Sequence, residues 1–228
     1  MNFGYSDPDK ILTLDSADEE DRYSIQLYNH LTVLIDLNNK DIVEIGSGRG
    51  GGLAYIAENN SPNSLIGIDL SKSAVTFSNK HHKFTNLSFQ YGDAQQIPLK
   101  NNSCDVVLNV ESSHRYLEIE RFLSEVIRIL KTGGLFLFTD FRYDYEWTEL
   151  HELFVNSGLK ILFEKDITLN VLHALEMDDQ RRRTLVKKLA PKYLHVAMLN
   201  FAGTIGSETY NYFLSRKYVY KSYVFQKL

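Results

Sequence analysis

The stretch DIVEIGSGRGGG, from Asp41 to Gly52, constrains this chain more than any other. A short apolar run stops at Gly46, and Gly48, Gly50, Gly51 and Gly52 follow before an amphipathic pattern begins. A run this short and rich in Ile and Val reads as a strand buried on both faces. The glycines permit a tight turn and let a ligand approach backbone N–H groups at the start of a helix. The alternation then continues. Strand patterns lie at 41–45, 64–69, 87–91, 105–110 and 134–140, and helical patterns at 51–58, 71–81 and 119–130. The last of these places Phe122, Val126, Ile129 and Leu130 on one face. Such alternation is the sequence form of an α/β fold, a parallel sheet covered by helices.

Beyond Asp140 a helix over 146–157, a strand over 160–164 and a closing strand over 218–226 extend the pattern. The segment between the last two strands, about 168–216, is too long for an ordinary connection. It reads as a helical insertion over the strand ends, where a substrate lid would lie. Ahead of the first strand, the acidic DSADEED (15–21) precedes the helical pattern RYSIQLYNHLTVLIDL, where acids complement the positive end of a helix dipole. For the basic cluster of Arg181, Arg182, Arg183, Lys187 and Lys188 a solvated helix surface is the simplest reading, and the sequence does not commit to it.

With 228 residues, 43% hydrophobic and 24% charged, the composition is that of a globular chain, and one domain is expected. The single cysteine, Cys104, cannot form an internal disulfide, so a reducing, cytoplasmic setting is expected. The longest apolar runs, such as LFLF at 135–138, fall far short of the roughly 20 residues of a membrane span. The opening MNFGYSDPDK lacks a signal-peptide pattern. A net charge of −4 argues against a nucleic-acid binder with a broadly basic surface.

Two ligand classes use a glycine loop of this kind. Gly46, Gly48 and Gly51 satisfy the G-x-G-x-x-G dinucleotide pattern, whereas Glu44, Gly46, Gly48 and Gly50 satisfy the E-x-G-x-G-x-G pattern of S-adenosylmethionine enzymes. Asp69 closes the second strand 19 positions past Gly50, where an acid can hold ribose hydroxyls in either class. The next loop separates them. In YGDAQQIPL, Asp93 and Ala94 follow Gly92 and lead to Pro98, which resembles the adenine-binding turn of class I S-adenosylmethionine-dependent methyltransferases. NVESSHRY after the fourth strand and LKTGG before the fifth are similar to that family too, over about 18–140. A dehydrogenase would usually need a separate substrate domain, for which no room remains.

FGY near the N-terminus, DSADEEDRYSIQLY, GSGRGGG, NVESSHRY, FLSEVIRILKTGG and DFR together resemble the phthiotriolone/phenolphthiotriolone dimycocerosate and fatty-acid O-methyltransferases. The resemblance implies a Rossmann-like, doubly wound seven-stranded sheet with an antiparallel last strand, an N-terminal helical cap and a C-terminal helical insertion. On that reading 1–40 is the cap, 41–166 the cofactor core, 167–217 the lid and 218–228 the final strand of one domain. It also implies that Tyr5, Tyr23 and Gln26 close over S-adenosylmethionine. Glu44, Gly46, Gly48 and Gly50 would face its methionine part, Asp69 its ribose, and Asp93 and Ala94 its adenine, with Leu70 and Asn109 among the cofactor contacts.

A hydroxyl nucleophile must also lose a proton. His114, four residues past Val110 at the mouth of the sheet, is the expected general base. Asp140, ending the next strand, would orient or electrostatically support it, or instead serve as an acid contact to the substrate. Glu111 competes for the role, set back because a carboxylate of ordinary pKa is a weaker base. The remaining histidines and carboxylates show no spacing that suggests a metal site. The expected acceptor is a hydrophobic small molecule, a lipid, polyketide or fatty-acid-like alcohol. Leu172, Leu175, Met177, Leu194, Met198, Phe201, Tyr210 and Phe213 of the insertion would line its pocket, although their helical spacing fits core packing equally. Two alternatives stay open: a sterol-type C-methyltransferase, with an aromatic cage in place of a base, and a non-catalytic S-adenosylmethionine binder. A homodimer also stays open.

Overall fold

The computed structural model describes residues 2–10, 12–16 and 18–228, so Ala17 of the acidic stretch lies outside the described residues. The strands are β1 (Asp41–Ile45), β2 (Ser64–Asp69), β3 (Leu87–Tyr91), β4 (Cys104–Val110), β5 (Leu130–Tyr143), β6 (Leu159–Asp166) and β7 (Tyr218–Lys227). They form one sheet in the order β3-β2-β1-β4-β5-β7-β6. The first five pair in parallel, and β7 inserts antiparallel to both β5 and β6. This is the expected α/β, doubly wound sheet with its antiparallel last strand.

The central strands are apolar on both faces because both faces are covered. Successive residues alternate between two layers. Val43, Ile45, Val107, Phe136 and Phe138 pack with Phe122 and Val126 of α4 (Ile119–Ile129) and Phe154 of α5 (Glu146–Asn156). Ile42, Val106, Leu108 and Leu137 pack with Leu53 and Ile56 of α2 (Gly51–Asn59) and Ile25 of α1 (Arg22–Thr32), with Val75 of α3 (Lys72–His81) against them.

Two boundaries differ most from expectation. Helix α1 ends at Thr32 rather than running on to Leu37; the chain turns, and Leu37 is buried beyond the turn. Strand β5 begins at Leu130, earlier than the glycines suggest. Leu130 already pairs with Cys104, and a bulge containing Gly133 separates it from Leu135, which pairs with Val106. Gly134 in that bulge admits no side chain, because a Cβ there would stand 2.8 Å from the Lys131 carbonyl and 3.0 Å from that of Asp105.

The long segment before β7 is helical: α6 (Thr168–Leu189), α7 (His195–Phe201) and α8 (Glu208–Leu214). A third apolar cluster joins it to the N-terminal residues across the carboxyl edge of the sheet. Tyr5, Leu27 and Leu31 meet Leu172, Leu175, Tyr210 and Phe213 over Val110 and Tyr220.

Arg182, 1% exposed, locks this cover. It pairs with Asp178 at 2.8 Å and donates to the carbonyls of Ala202 at 2.8 Å and Phe3 at 3.0 Å. Arg182→Ala leaves those carbonyls and part of the Asp178 charge unpaired inside the protein. Removing one partner of a buried pair costs about 3–5 kcal/mol; because Arg181 also holds Asp178, the loss in a urea titration should fall at the lower end of that range.

Candidate active site

The glycine loop is shaped by what lies beneath it. Gly46 has φ +76°, and a Cβ there would sit 2.4 Å from the Ser112 hydroxyl, so the chain after β1 rests directly on the loop after β4. Gly48, φ +54°, is the opposite case: nothing lies within 4 Å of the Cβ position, which faces open space. The Gly48 N–H donates to Asp69 Oδ2 at 2.7 Å, and Asp69 Oδ1 accepts from the Ser71 N–H at 2.8 Å. One carboxylate at the end of β2 thus fixes the glycine loop and the start of α3 together.

Around this loop opens a cavity of about 1200 Å³. Gly46, Gly48, Gly50, Asp69, Leu70, Asp93 and Ala94, all expected at a cofactor, line one side of it. Asp93 Oδ1 accepts from the Gln95 N–H at 2.8 Å, holding the turn after β3. Residues beyond the expected cofactor set also face the cavity. The Arg49 guanidinium stacks 3.7 Å over the Phe77 ring, His82 Nε2 meets the Arg49 carbonyl at 2.8 Å, and His81 lies beside them.

Five expected cofactor residues lie elsewhere. On α1, Ser24, Ile25 and Tyr28 face the cavity. Tyr23 and Gln26 are on the other side of the helix, because residues three and four apart share a face. Tyr5 packs there too, its ring stacked on His30 at 4.3 Å between centroids and its hydroxyl pushed up to about 12 by burial. Asn109 is fully buried beneath the loop, where its amide donates to the Ile45 carbonyl at 3.0 Å, the Ser112 hydroxyl at 2.8 Å and the Tyr116 hydroxyl at 3.0 Å. Glu44 is also fully buried and outside the cavity wall. Tyr28 donates to its Oε1, its Oε2 has no partner among the described residues, and burial raises its carboxyl to about 8.

A second pocket, about 150 Å³, adjoins the first and shares Asn2, Glu111, Arg115 and Phe201 with it. His114 lines this pocket. Its Nδ1 lies 2.8 Å from Asp140 Oδ1, and its backbone N–H donates to Asp140 Oδ2 at 3.0 Å. Asp140 is fully buried. Burial alone would raise its carboxyl, but Arg142, His114 and the Ser113 hydroxyl hold it well below the usual carboxylate range. With Asp140 ionised, Nδ1 is the donor and the Nε2 lone pair points away from it; Arg115 Nε donates there at 3.3 Å.

Glu111 stands between the pockets, and here the reasoning from ordinary pKa values fails. Burial pushes its carboxyl up to about 7, although the Phe3 N–H at 2.6 Å and the Tyr220 hydroxyl at 2.7 Å both donate to Oε1. It also sits at φ +45°, a conformation that residues with a Cβ seldom adopt and that recurs at functional sites. Of the insertion side chains expected around an acceptor, only Phe201 lines either pocket. Leu172, Leu175, Tyr210 and Phe213 are core, while Met177, Leu194 and Met198 face outward.

Two measurements follow from this geometry. Gly48→Ala should cost only about 1–2 kcal/mol for its left-handed backbone yet weaken ligand binding in calorimetry, since its Cβ enters the cavity. Gly46→Ala, which collides with Ser112, should instead lower the melting temperature far more. Glu44 binds a proton more tightly folded than unfolded. Its contribution to stability is therefore complete below about pH 4.5 and is lost as pH rises towards 8. Thermal melts of the ligand-free protein should fall across that window, and Glu44→Gln should flatten the fall; an unchanged slope would show the carboxyl to be ionised.

The family model described as a methyltransferase domain matches residues 43–138. A phthiotriol/phenolphthiotriol dimycocerosates methyltransferase of Mycobacterium leprae is 35% identical over 228 residues, covering 100% of this chain and 84% of that protein. A fatty-acid O-methyltransferase of Mycolicibacterium smegmatis is 37% identical over 195 residues, 85% of this chain and 71% of that protein. Among solved structures, the [4+2]-cyclase SpnF superposes with a TM-score of 0.71 at 19% identity, covering 100% of this chain and 88% of that one; at that identity the likeness concerns the fold. With relatives this similar along its whole length, and with the glycine loop, Asp69 and Asp93 around one cavity, the chain belongs to the class I S-adenosylmethionine-dependent methyltransferases.

Proposed function

We propose that this enzyme methylates a hydroxyl oxygen of a hydrophobic small molecule, a lipid, polyketide or fatty-acid-like acceptor. The observation that carries the reading is the His114–Asp140 pair, 2.8 Å apart, with His114 lining a pocket that shares Glu111 and Arg115 with the larger cavity and Asp140 buried behind it. The two relatives, a phthiotriol/phenolphthiotriol dimycocerosates methyltransferase and a fatty-acid O-methyltransferase, are named for such acceptors.

The larger cavity fits the cofactor by its own residues: an open cradle at Gly48, carboxylates at Asp69 and Asp93, and the buried acid Glu44 behind the loop. When bound, S-adenosylmethionine supplies an electrophilic methyl group. Gly46, Gly48 and Gly50 would hold its methionine part, Asp69 and Leu70 its ribose, and Asp93 with Ala94 its adenine. Residues 1–40 and 167–217 together form the cover that excludes water, the role assigned to Tyr5, Tyr23 and Gln26 being to brace that cover rather than touch the cofactor. Asn109 braces the loop in the same sense. A single cysteine suits a reducing cytoplasm, and Cys104, buried with its thiol raised to about 12, takes no part in the chemistry.

The acceptor hydroxyl takes the place of Arg115 at His114 Nε2 and gives up its proton there as oxygen attacks. Asp140 fixes the tautomer and stabilises the imidazolium that forms. An aromatic wall of Phe3, Phe141 and Tyr218 surrounds the small pocket. It would also suit a carbocation, but the base at its side favours oxygen over the sterol-type reaction. The position of Glu111 supports a second reading, in which it takes the proton.

Variants separate these readings. His114→Ala should lower turnover about 10²–10⁴-fold with cofactor affinity nearly unchanged, and Asp140→Asn should act in the same direction through the wrong tautomer. Rate should rise with pH as the base loses its proton. That limb should vanish in His114→Ala and persist in Glu111→Gln; the reverse pattern transfers the role to Glu111. Tight cofactor binding with no transfer to any hydrophobic alcohol, phenol or acid would leave a non-catalytic binder.

A further inference from the structure

Between Gln180 and Ser207 the chain carries six Lys or Arg residues and no Asp or Glu, in a protein of net charge −4. Arg181, Arg182 and Arg183 are matched by Asp178 and Asp179 on the same helix. Lys187, Lys188 and Lys192 are exposed and form no ion pair among the described residues.

The apolar side chains among these lysines are turned outward. Leu189 closes α6, Tyr193 lies in the short 3-10 turn Lys192–Leu194, and Val196 begins α7; they are 75%, 84% and 83% exposed. Helix α7 is HVAMLNF, apolar at five of seven positions, and none of its residues is buried. Isolated exposed apolar residues are ordinary, whereas a continuous group of them marks a surface that meets something. The group also leads somewhere. Phe201, at the end of α7, lines both the large cavity and the small pocket.

We propose that the tip formed by the end of α6, the 3-10 turn and α7 seats on an anionic phospholipid membrane surface. The acceptor then passes from the bilayer to the pocket beside Phe201, a step that rests on the hydrophobic-acceptor reading above. The charge pattern selects this occupant. A two-fold contact centred on this tip would bring both sets of Lys187, Lys188 and Lys192 together with no acid between Gln180 and Ser207 to offset them, whereas anionic headgroups neutralise all three. Tyr193 and the lysine stems suit the boundary between headgroups and acyl chains, with apolar bodies inward and polar ends in water. Among the described residues no helix is long and apolar enough to cross a membrane; the contact proposed is a peripheral one, with the tip lying at the interface.

Sedimentation of the full chain with vesicles tests this. It should bind vesicles of phosphatidylcholine with phosphatidylglycerol, bind pure phosphatidylcholine weakly, and be released by raised salt. The triple variant Lys187→Gln, Lys188→Gln, Lys192→Gln should lose roughly a hundredfold in vesicle affinity, since each Lys near an anionic surface is worth about a factor of five. Val196→Asp with Tyr193→Ser should lose binding as well. Both should keep the parent melting temperature and the parent rate on a short-chain, water-soluble acceptor. Failure of the unmodified protein to bind the mixed vesicles, or binding that ignores lipid charge, overturns the proposal. So does a dimer in the absence of vesicles that Val196→Asp disperses. Vesicle binding without methyl transfer to any acceptor would overturn the acceptor reading and leave the membrane contact standing.

Discussion

One buried amide holds the two halves of the active site in register. Strand order reverses between β1 and β4, so the chains leaving them diverge and open a crevice at the carboxyl edge of the sheet. The Asn109 side chain crosses that divide, sharing its N–H groups among the Ile45 carbonyl and the hydroxyls of Ser112 and Tyr116. Ser112 in turn occupies the space that any side chain at Gly46 would need. The loop facing the cofactor cavity and the loop bearing Glu111 and His114 are therefore positioned against one another by a few atoms under the cavity floor. Both sides of a methyl transfer must be aligned to within fractions of an ångström, and orientation of that quality is worth several kcal/mol of barrier.

Three carboxyls buried close to this junction are held in different states by their neighbours. Asp140 has Arg142, the Ser113 hydroxyl and His114 around it, and these overcome the cost of burial and keep it ionised. Glu44 has a tyrosine hydroxyl and an unpartnered oxygen, and Glu111 has one N–H and one hydroxyl; for both, burial wins and the carboxyl rises towards neutrality. On the proposed function, an ionised orienter beside the imidazole and a protonatable acid between the pockets would divide the proton-handling roles by environment rather than by residue type.

The cover over the site is built from opposite ends of the chain. Arg182 on α6 bonds to the backbone of Phe3, and the Phe3 N–H reaches Glu111. Order in the insertion, order in the N-terminal segment and the state of Glu111 are thus linked through direct contacts. The same cover presents its apolar, lysine-bearing tip to the outside.

Much of the architecture was legible in the sequence, since a strand buried on both faces has no other way to be written than as a continuous apolar run, and a turn approached closely by ligand or neighbouring backbone needs glycine. The strands 41–45, 64–69 and 87–91 match in full for that reason, and the loop residues, Asp69, Asp93 and His114 with Asp140 follow from their places at strand ends. Sequence could not settle which way a side chain on a packed helix turns: Tyr23 and Gln26 share α1 with Ser24 and Tyr28 yet face the other way. Nor could it weigh burial, which lifts the Glu111 carboxyl to about 7, out of the ordinary carboxylate range that would set it back as a base. It could not separate Leu172 and Phe213, sealed in a core, from Phe201 at the pocket, because all lie on helices with the same spacing. Those outcomes depend on contacts between residues distant in the chain, such as Phe3 with Glu111 and Asn109 with Ile45, and only the tertiary structure supplies them.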